Sequence, residues 1–248
     1  MKVALVTGSS GLIGGALVES YLQSSYRVIG LDISETDRFN DPNFLFYKLD
    51  LTNLHQIKDC IEDISSKFNA IDCIINNASA RPEGFFQKSE EYKLETFEKV
   101  LAINLTANLA ISSGLFQLLL KSSNPSIVSL SSIYGLRAPN FSIYPKNELG
   151  DLLFTTPISY SVAKSALVGL TKHLAAEWGA SGIRVNAVAP GGIENSQDRD
   201  FVERYTALTS LKSMCRVEDV VNLVRFLTSQ KSTHITGLTI PVDGGWTL

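Results

Sequence analysis

A chain of 248 residues, 44% hydrophobic and 19% charged, has the make-up of a folded globular protein and excludes a disordered one. Its net charge of −3 offers no basic field for nucleic acid or anionic lipid. No uninterrupted apolar run approaches the roughly 18 residues of a membrane span, so small molecules are the expected partners, with neither nucleic acid nor membrane among them. Cys60, Cys73 and Cys215 are an odd set with no paired spacing. They favour a reducing, cytoplasmic setting and point away from a metal site.

Taken in order, the chain alternates short apolar runs with helical patterns. Lys2–Val6 predicts a first strand that stops at Thr7-Gly8, and the start MKVALVTG is too short for a signal segment. Ala16–Leu22 predicts a helix, and Arg27–Leu31 and Phe44–Leu49 predict strands ending at Asp32 and Asp50. A helix follows Thr52, the expected N-cap, with Leu54, Ile57, Ile61, Ile64 and Phe68 on one side. Ile71–Ile75 predicts a fourth strand, Thr96–Leu120 a long helix, Ser126–Leu130 a fifth strand and Ile158–Trp178 a helix. Ile183–Val188, Val217–Leu227 and Leu238–Val242 predict strand, helix and strand. Repeated βαβ units imply an α/β fold, a doubly wound parallel sheet of the Rossmann type, closing as a single domain over 1–248. Its ligand site is expected at the carboxyl ends of the strands, where Thr7, Asp32, Asp50, Asn76 and Ser131 collect. Gly135–Pro157 and Gly191–Cys215 show no pattern and are expected to be substrate loops.

Three signals carry chemistry. Thr7-Gly8-Ser9-Ser10-Gly11-Leu12-Ile13-Gly14 follows a strand and opens a helix, a place where backbone N–H groups and the helix dipole meet a pyrophosphate. The GxxGxxG spacing differs from the common GxGxxG, and alone it is also what a tight strand–helix turn looks like. Asp32, 18 residues beyond Gly14, is placed to accept both hydroxyls of an adenosine ribose and to repel a 2′-phosphate. This favours NAD over NADP. Tyr160 and Lys164, at i and i+4 of one helix, put a phenol and an ammonium on one face, as an ordinary surface pair also would.

Position joins these signals to others. Asn76-Asn77-Ala78-Ser79, Asn104, Ser131-Ser132, Tyr160 with Lys164, Pro190-Gly191 after Ile183–Asn186, and Val242-Asp243-Gly244-Gly245 occur in sequence order. Over nearly its whole length the chain thereby resembles the short-chain dehydrogenase/reductase family. It departs from the shorter branch in its glycine spacing, which matches the longer branch. It also departs in the 27 residues between Ser132 and Tyr160, where about a dozen are usual by resemblance to the family pattern.

The resemblance implies hydride chemistry on a secondary alcohol or ketone, with Tyr160 as general base or acid. It implies that Lys164 lowers the phenol pKa, that Ser132 holds the substrate oxygen and that Asn104 holds a relay water. It places the dinucleotide along Gly8, Ser10, Gly11, Leu12, Ile13, Gly14, Asp32, Asp50, Leu51, Asn77, Ala78, Tyr160, Lys164, Pro190, Gly191 and Ile193. For Asp50, helix capping is an equal reading. In the insert, Arg137, Lys146 and Tyr144 are candidate contacts to a polar, anionic substrate, and solvated surface residues are the alternative. Similarity to oxidoreductases of bacterial surface-sugar and flagellin modification suggests a sugar or sugar phosphate. The alternatives are a 3-oxoacyl-thioester reductase and a catalytically idle dinucleotide sensor or scaffold. Leu101–Leu120 is apolar on more than one face, which with the family's habit implies a homo-oligomer, tetramer or dimer.

Overall fold

A computed structural model of the chain describes residues 1–147, 149, 152 and 156–248. The strands are β1 (Val3–Thr7), β2 (Arg27–Asp32), β3 (Phe44–Lys48), β4 (Cys73–Asn76), β5 (Ser126–Leu130), β6 (Arg184–Pro190) and β7 (Thr239–Val242). They form one sheet in the order β3-β2-β1-β4-β5-β6-β7, every pairing parallel. The order reverses between β1 and β4, the switch point at which doubly wound sheets take their ligands.

The central strands are buried throughout because both faces of the sheet are covered. Side chains alternate along β1. Val3 and Leu5 join one core layer with Ile29, Ile74 and Ile127; Ala4 and Val6 join the other with Val28, Ile75 and Val128. The first layer packs under α2 (Leu54–Lys67), α4 (Ala107–Gly114) and α6 (Ile158–Trp178). The second packs under α1 (Leu12–Gln23) and α8 (Val217–Leu227). Cys60 and Cys73 are free thiols inside these layers, and the Cys215 thiol donates to Val242 O at 3.1 Å. Among the described residues no helix is long and apolar enough to cross a membrane.

Three expectations need correction. The predicted helix 96–120 is broken: α3 (Leu94–Leu101) runs into a π-helical turn (Ala102–Thr106), then α4, then α5 (Phe116–Leu119) after a non-helical Leu115. The break inserts a π turn within one continuous run of helical residues, and composition carries no mark of it. Asn53, not Thr52, caps α2, accepting from His55 N and Gln56 N. Thr52 instead donates its amide and hydroxyl to Asp50 Oδ1 at 2.9 and 2.8 Å. Within 191–215 lies a helix, α7 (Arg199–Ala207), capped by Asp198. Its stripe of Phe201, Val202 and Tyr205 spans only nine residues, short for a helical period to be counted.

Candidate active site

At the β1–α1 turn Gly8 has φ +66, the left-handed region that glycine enters without strain. A Cβ on Gly14 would lie 1.9 Å from Gly8 O, so the loop folds back on its own helix only without one. Asn77 Nδ2 donates to Thr7 O and Gly8 O at 2.9 and 3.2 Å, and Thr7 Oγ1 accepts from Asn77 N and Ala78 N. No side chain caps α1, so Leu12 and Ile13 present a helix N-terminus free for a pyrophosphate. Asp32 accepts from Ser10 N at 2.9 Å and Ser34 N at 3.0 Å, which fixes its carboxylate beside the loop. These are the features an adenosine diphosphate moiety needs, and the residues present fit it. Asp50 is engaged in its own turn with Thr52, and Leu51 is a core residue. Asp50 therefore closes a turn ahead of α2, whose cap is Asn53.

Tyr160 and Lys164 lie on α6, against the carboxyl end of β5. The β4–β5 pairing stops at Asn76 and Ser129, and Ala78 N is turned to Thr7. Leu130 O instead accepts from Lys164 Nζ at 2.6 Å. Lys164 Nζ is 5.5 Å from the Tyr160 ring centre. Lys164 is buried, and burial pulls its ammonium down to about 8. Burial pushes the Tyr160 phenol up, while the Ser132 hydroxyl and the Arg81 guanidinium draw it back.

Two adjacent serines divide the work. Ser131 Oγ donates to Lys164 O at 2.8 Å and ties β5 to α6. Ser132 Oγ accepts from Tyr134 N at 3.2 Å and borders Tyr160. Gly135 makes the close approach possible: a Cβ there would sit 2.4 Å from Ser131 Oγ and 2.6 Å from Lys164 O. Asn104, in the π-helical turn, is fully buried with both side-chain polar atoms unpartnered. Its carbonyl accepts from Asn108 Nδ2 at 2.8 Å. An unpartnered amide in a dry place suits a bound water.

The 191–215 segment closes the same edge. Gly191 N donates to Val242 O, Gly192 N donates to Tyr205 Oη at 2.6 Å, and Ile193 bridges to Cys215. Tyr134, Tyr144, Phe201, Tyr205 and Trp246 form a contiguous aromatic seam there. Tyr144 Oη bonds Tyr134 Oη at 3.0 Å and also Thr156 Oγ1, so Tyr144 is a structural member of this seam. Arg137 and Lys146 are exposed, and no hydrogen bond or ion pair among the described residues ties them to Ser132, Tyr160 or Lys164. Glu148 and Asp151 of the same insert lie outside the described residues.

The sequence reading missed Arg81 and Phe85. Phe85 is buried and packs edge-on to Tyr160 with ring centres 6.4 Å apart. The available signal was their place just beyond the carboxyl end of β4. Among the described residues no group of three His, Cys, Asp or Glu side chains is set to hold a metal ion.

This sheet order, with a glycine-loop dinucleotide cradle and a Ser–Tyr–Lys cluster at the strand ends, defines a Rossmann-type oxidoreductase. Residues 2–145 match the profile of short chain dehydrogenase, and 150–247 that of enoyl-(acyl carrier protein) reductase. The chain is 31% identical to post-translational flagellin modification protein A of Campylobacter coli, over 100% of this chain and 98% of that protein. It is 30% identical to the 3-oxoacyl-(acyl-carrier-protein) reductase of Thermotoga maritima, over 98% and 97%. A short chain dehydrogenase from Leptospira borgpetersenii serovar Hardjo-bovis, solved with bound NAD+, aligns with TM-score 0.89 at 34% identity, over 100% and 93%. The chain belongs to the short-chain dehydrogenase/reductase family and is an oxidoreductase.

Proposed function

We propose that this protein is an NAD-dependent dehydrogenase that interconverts a secondary alcohol and a ketone on a small polar substrate of the sugar or sugar phosphate class. The observation that carries the reading is the convergence of Ser132, Tyr160 and Lys164 at the carboxyl end of β5. Bound NAD supplies the hydride acceptor or donor. Ser132 donates to the substrate oxygen and orients it toward Tyr160. In oxidation the Tyr160 phenolate takes the hydroxyl proton; in reduction the phenol returns it. Lys164, charged and one helical turn away, favours the phenolate. Asn104 holds the water through which that proton reaches solvent. Asp32 receives the ribose hydroxyls, and its charge would oppose a 2′-phosphate.

The similarity to flagellin modification protein A supports the sugar class. A second reading, reduction of a 3-oxoacyl thioester, is favoured by the Thermotoga relative. It fits less well with Asp32, since such reduction normally draws on NADPH. We also propose that chains assemble as a homo-oligomer, and that 135–157 and 191–215 frame the substrate. The test follows absorbance at 340 nm with NAD(H) across alcohols, keto sugars, sugar phosphates and 3-oxoacyl thioesters. Turnover confined to the sugar class supports the reading. Turnover of the thioester alone would replace it with the second, and none on any alcohol or ketone would leave an idle dinucleotide binder.

A further inference from the structure

We propose that Arg81 anchors an anionic group, a carboxylate or a phosphate, on the substrate. The proposal rests on the oxidoreductase reading and names the substrate chemistry that its site would accept. Residues 79–92 leave β4 beside the cofactor cradle and border a cleft of about 550 Å³, whose lining includes Arg81, Phe85, Phe86, Gln87 and Leu152. Tyr160 connects to this cleft through aromatic rings. Phe85 stands edge-on to Tyr160 at 6.4 Å, Phe86 stands edge-on to Phe85 at 5.0 Å, and the Arg81 guanidinium lies 6.0 Å from the Phe86 ring.

Arg81 is exposed, and among the described residues no carboxylate forms an ion pair with it and no acceptor takes its N–H groups. The other charges lining the cleft, Lys88 and Glu91, offset each other. The net charge facing a substrate is therefore the guanidinium. Its planar fork matches the two oxygens of a carboxylate or phosphate. Gln87 Oε1, buried without a partner, is an acceptor suited to a hydroxyl of the same molecule. The guanidinium also acts on the reacting group, since its charge draws the Tyr160 phenol downward. Arg137 and Lys146, the cations singled out in the insert, have no comparable link to Tyr160.

The experiment uses the full-length protein loaded with NADH. Succinate, inorganic phosphate and uncharged succinamide are titrated against the fluorescence of the bound NADH, in wild type, Arg81→Gln and Arg81→Lys. One or both anions should bind to wild type and succinamide should not. Whichever of the two anions binds identifies the group. Arg81→Gln should weaken the anion about tenfold or more, Arg81→Lys should restore part of it, and NADH affinity should stay unchanged. Arg81→Gln should also move the pH profile governed by Tyr160 to higher pH. Anion affinity unchanged in Arg81→Gln, or no anion binding to the NADH complex, would overturn the proposal and leave the dehydrogenase reading standing. Failure of NADH itself to bind would overturn both.

Discussion

Lys164 is a cation held in an almost dry place, and its stability cost has a definite pH window. Its folded pKa of about 8 lies below the free value of 10.5. Below pH 8 both states are protonated and the burial penalty is present in full. Between pH 8 and 10.5 the folded state sheds the proton first, so stability rises; above 10.5 the penalty is gone. Wild type minus Lys164→Met should therefore gain up to about 3 kcal/mol of unfolding free energy between pH 7 and 10.5. Urea titrations at the two pH values check this, and the same difference at both would show that burial leaves the Lys164 pKa at its free value. Asp32 carries a second prediction. Wild type should bind NADH at least about tenfold more tightly than NADPH, and Asp32→Ala should narrow the gap. Fluorescence titration of both cofactors decides it. Asp32, Ser132, Tyr160 and Lys164 could be found from sequence because each sits at a fixed offset from a strand end or along one helix face. Arg81 and Phe85 also follow a strand end, but their relation to Tyr160 is set by how the loop after β4 folds, which no fixed offset reports.

At the scale of elements, what matters is how closely β5 is pressed to α6. Gly135 sets that spacing, since a methyl group there would overlap Ser131 Oγ and Lys164 O. Gly135→Ala should destabilise the protein by about 1–3 kcal/mol, measured by denaturant titration. It should also lower kcat, because Ser132 and Tyr160 lie on the two sides forced apart. Most elements were legible. Ser126–Leu130, Ile158–Trp178 and Val217–Leu227 have the predicted bounds because their apolar pattern is sharp and their ends are marked. The break between α3 and α5 was not legible. A π turn adds one residue to a turn inside an otherwise helical run, and periodicity over a window does not report that. The helix α7 was hidden by its length: its apolar face of Phe201, Val202 and Tyr205 lies within nine residues.

For the molecule as a whole, α4, the end of α5 and α6 leave apolar residues uncovered. Leu109, Leu120, Ile158 and Val162 are 40–42% exposed. Light scattering at micromolar concentration should report a homo-oligomer, and Leu109→Glu with Val162→Glu should dissociate it. A stable wild-type monomer would contradict this. The central claim is that Tyr160 moves the substrate proton while the rest of the fold holds cofactor and substrate. It is tested most directly by Tyr160→Phe, assayed at 340 nm on whichever alcohol the wild type oxidises, beside an NADH titration of the same variant. Loss of the phenol should lower kcat by about 10²–10⁴-fold with NADH affinity unchanged. Turnover at the wild-type rate by Tyr160→Phe would contradict the account.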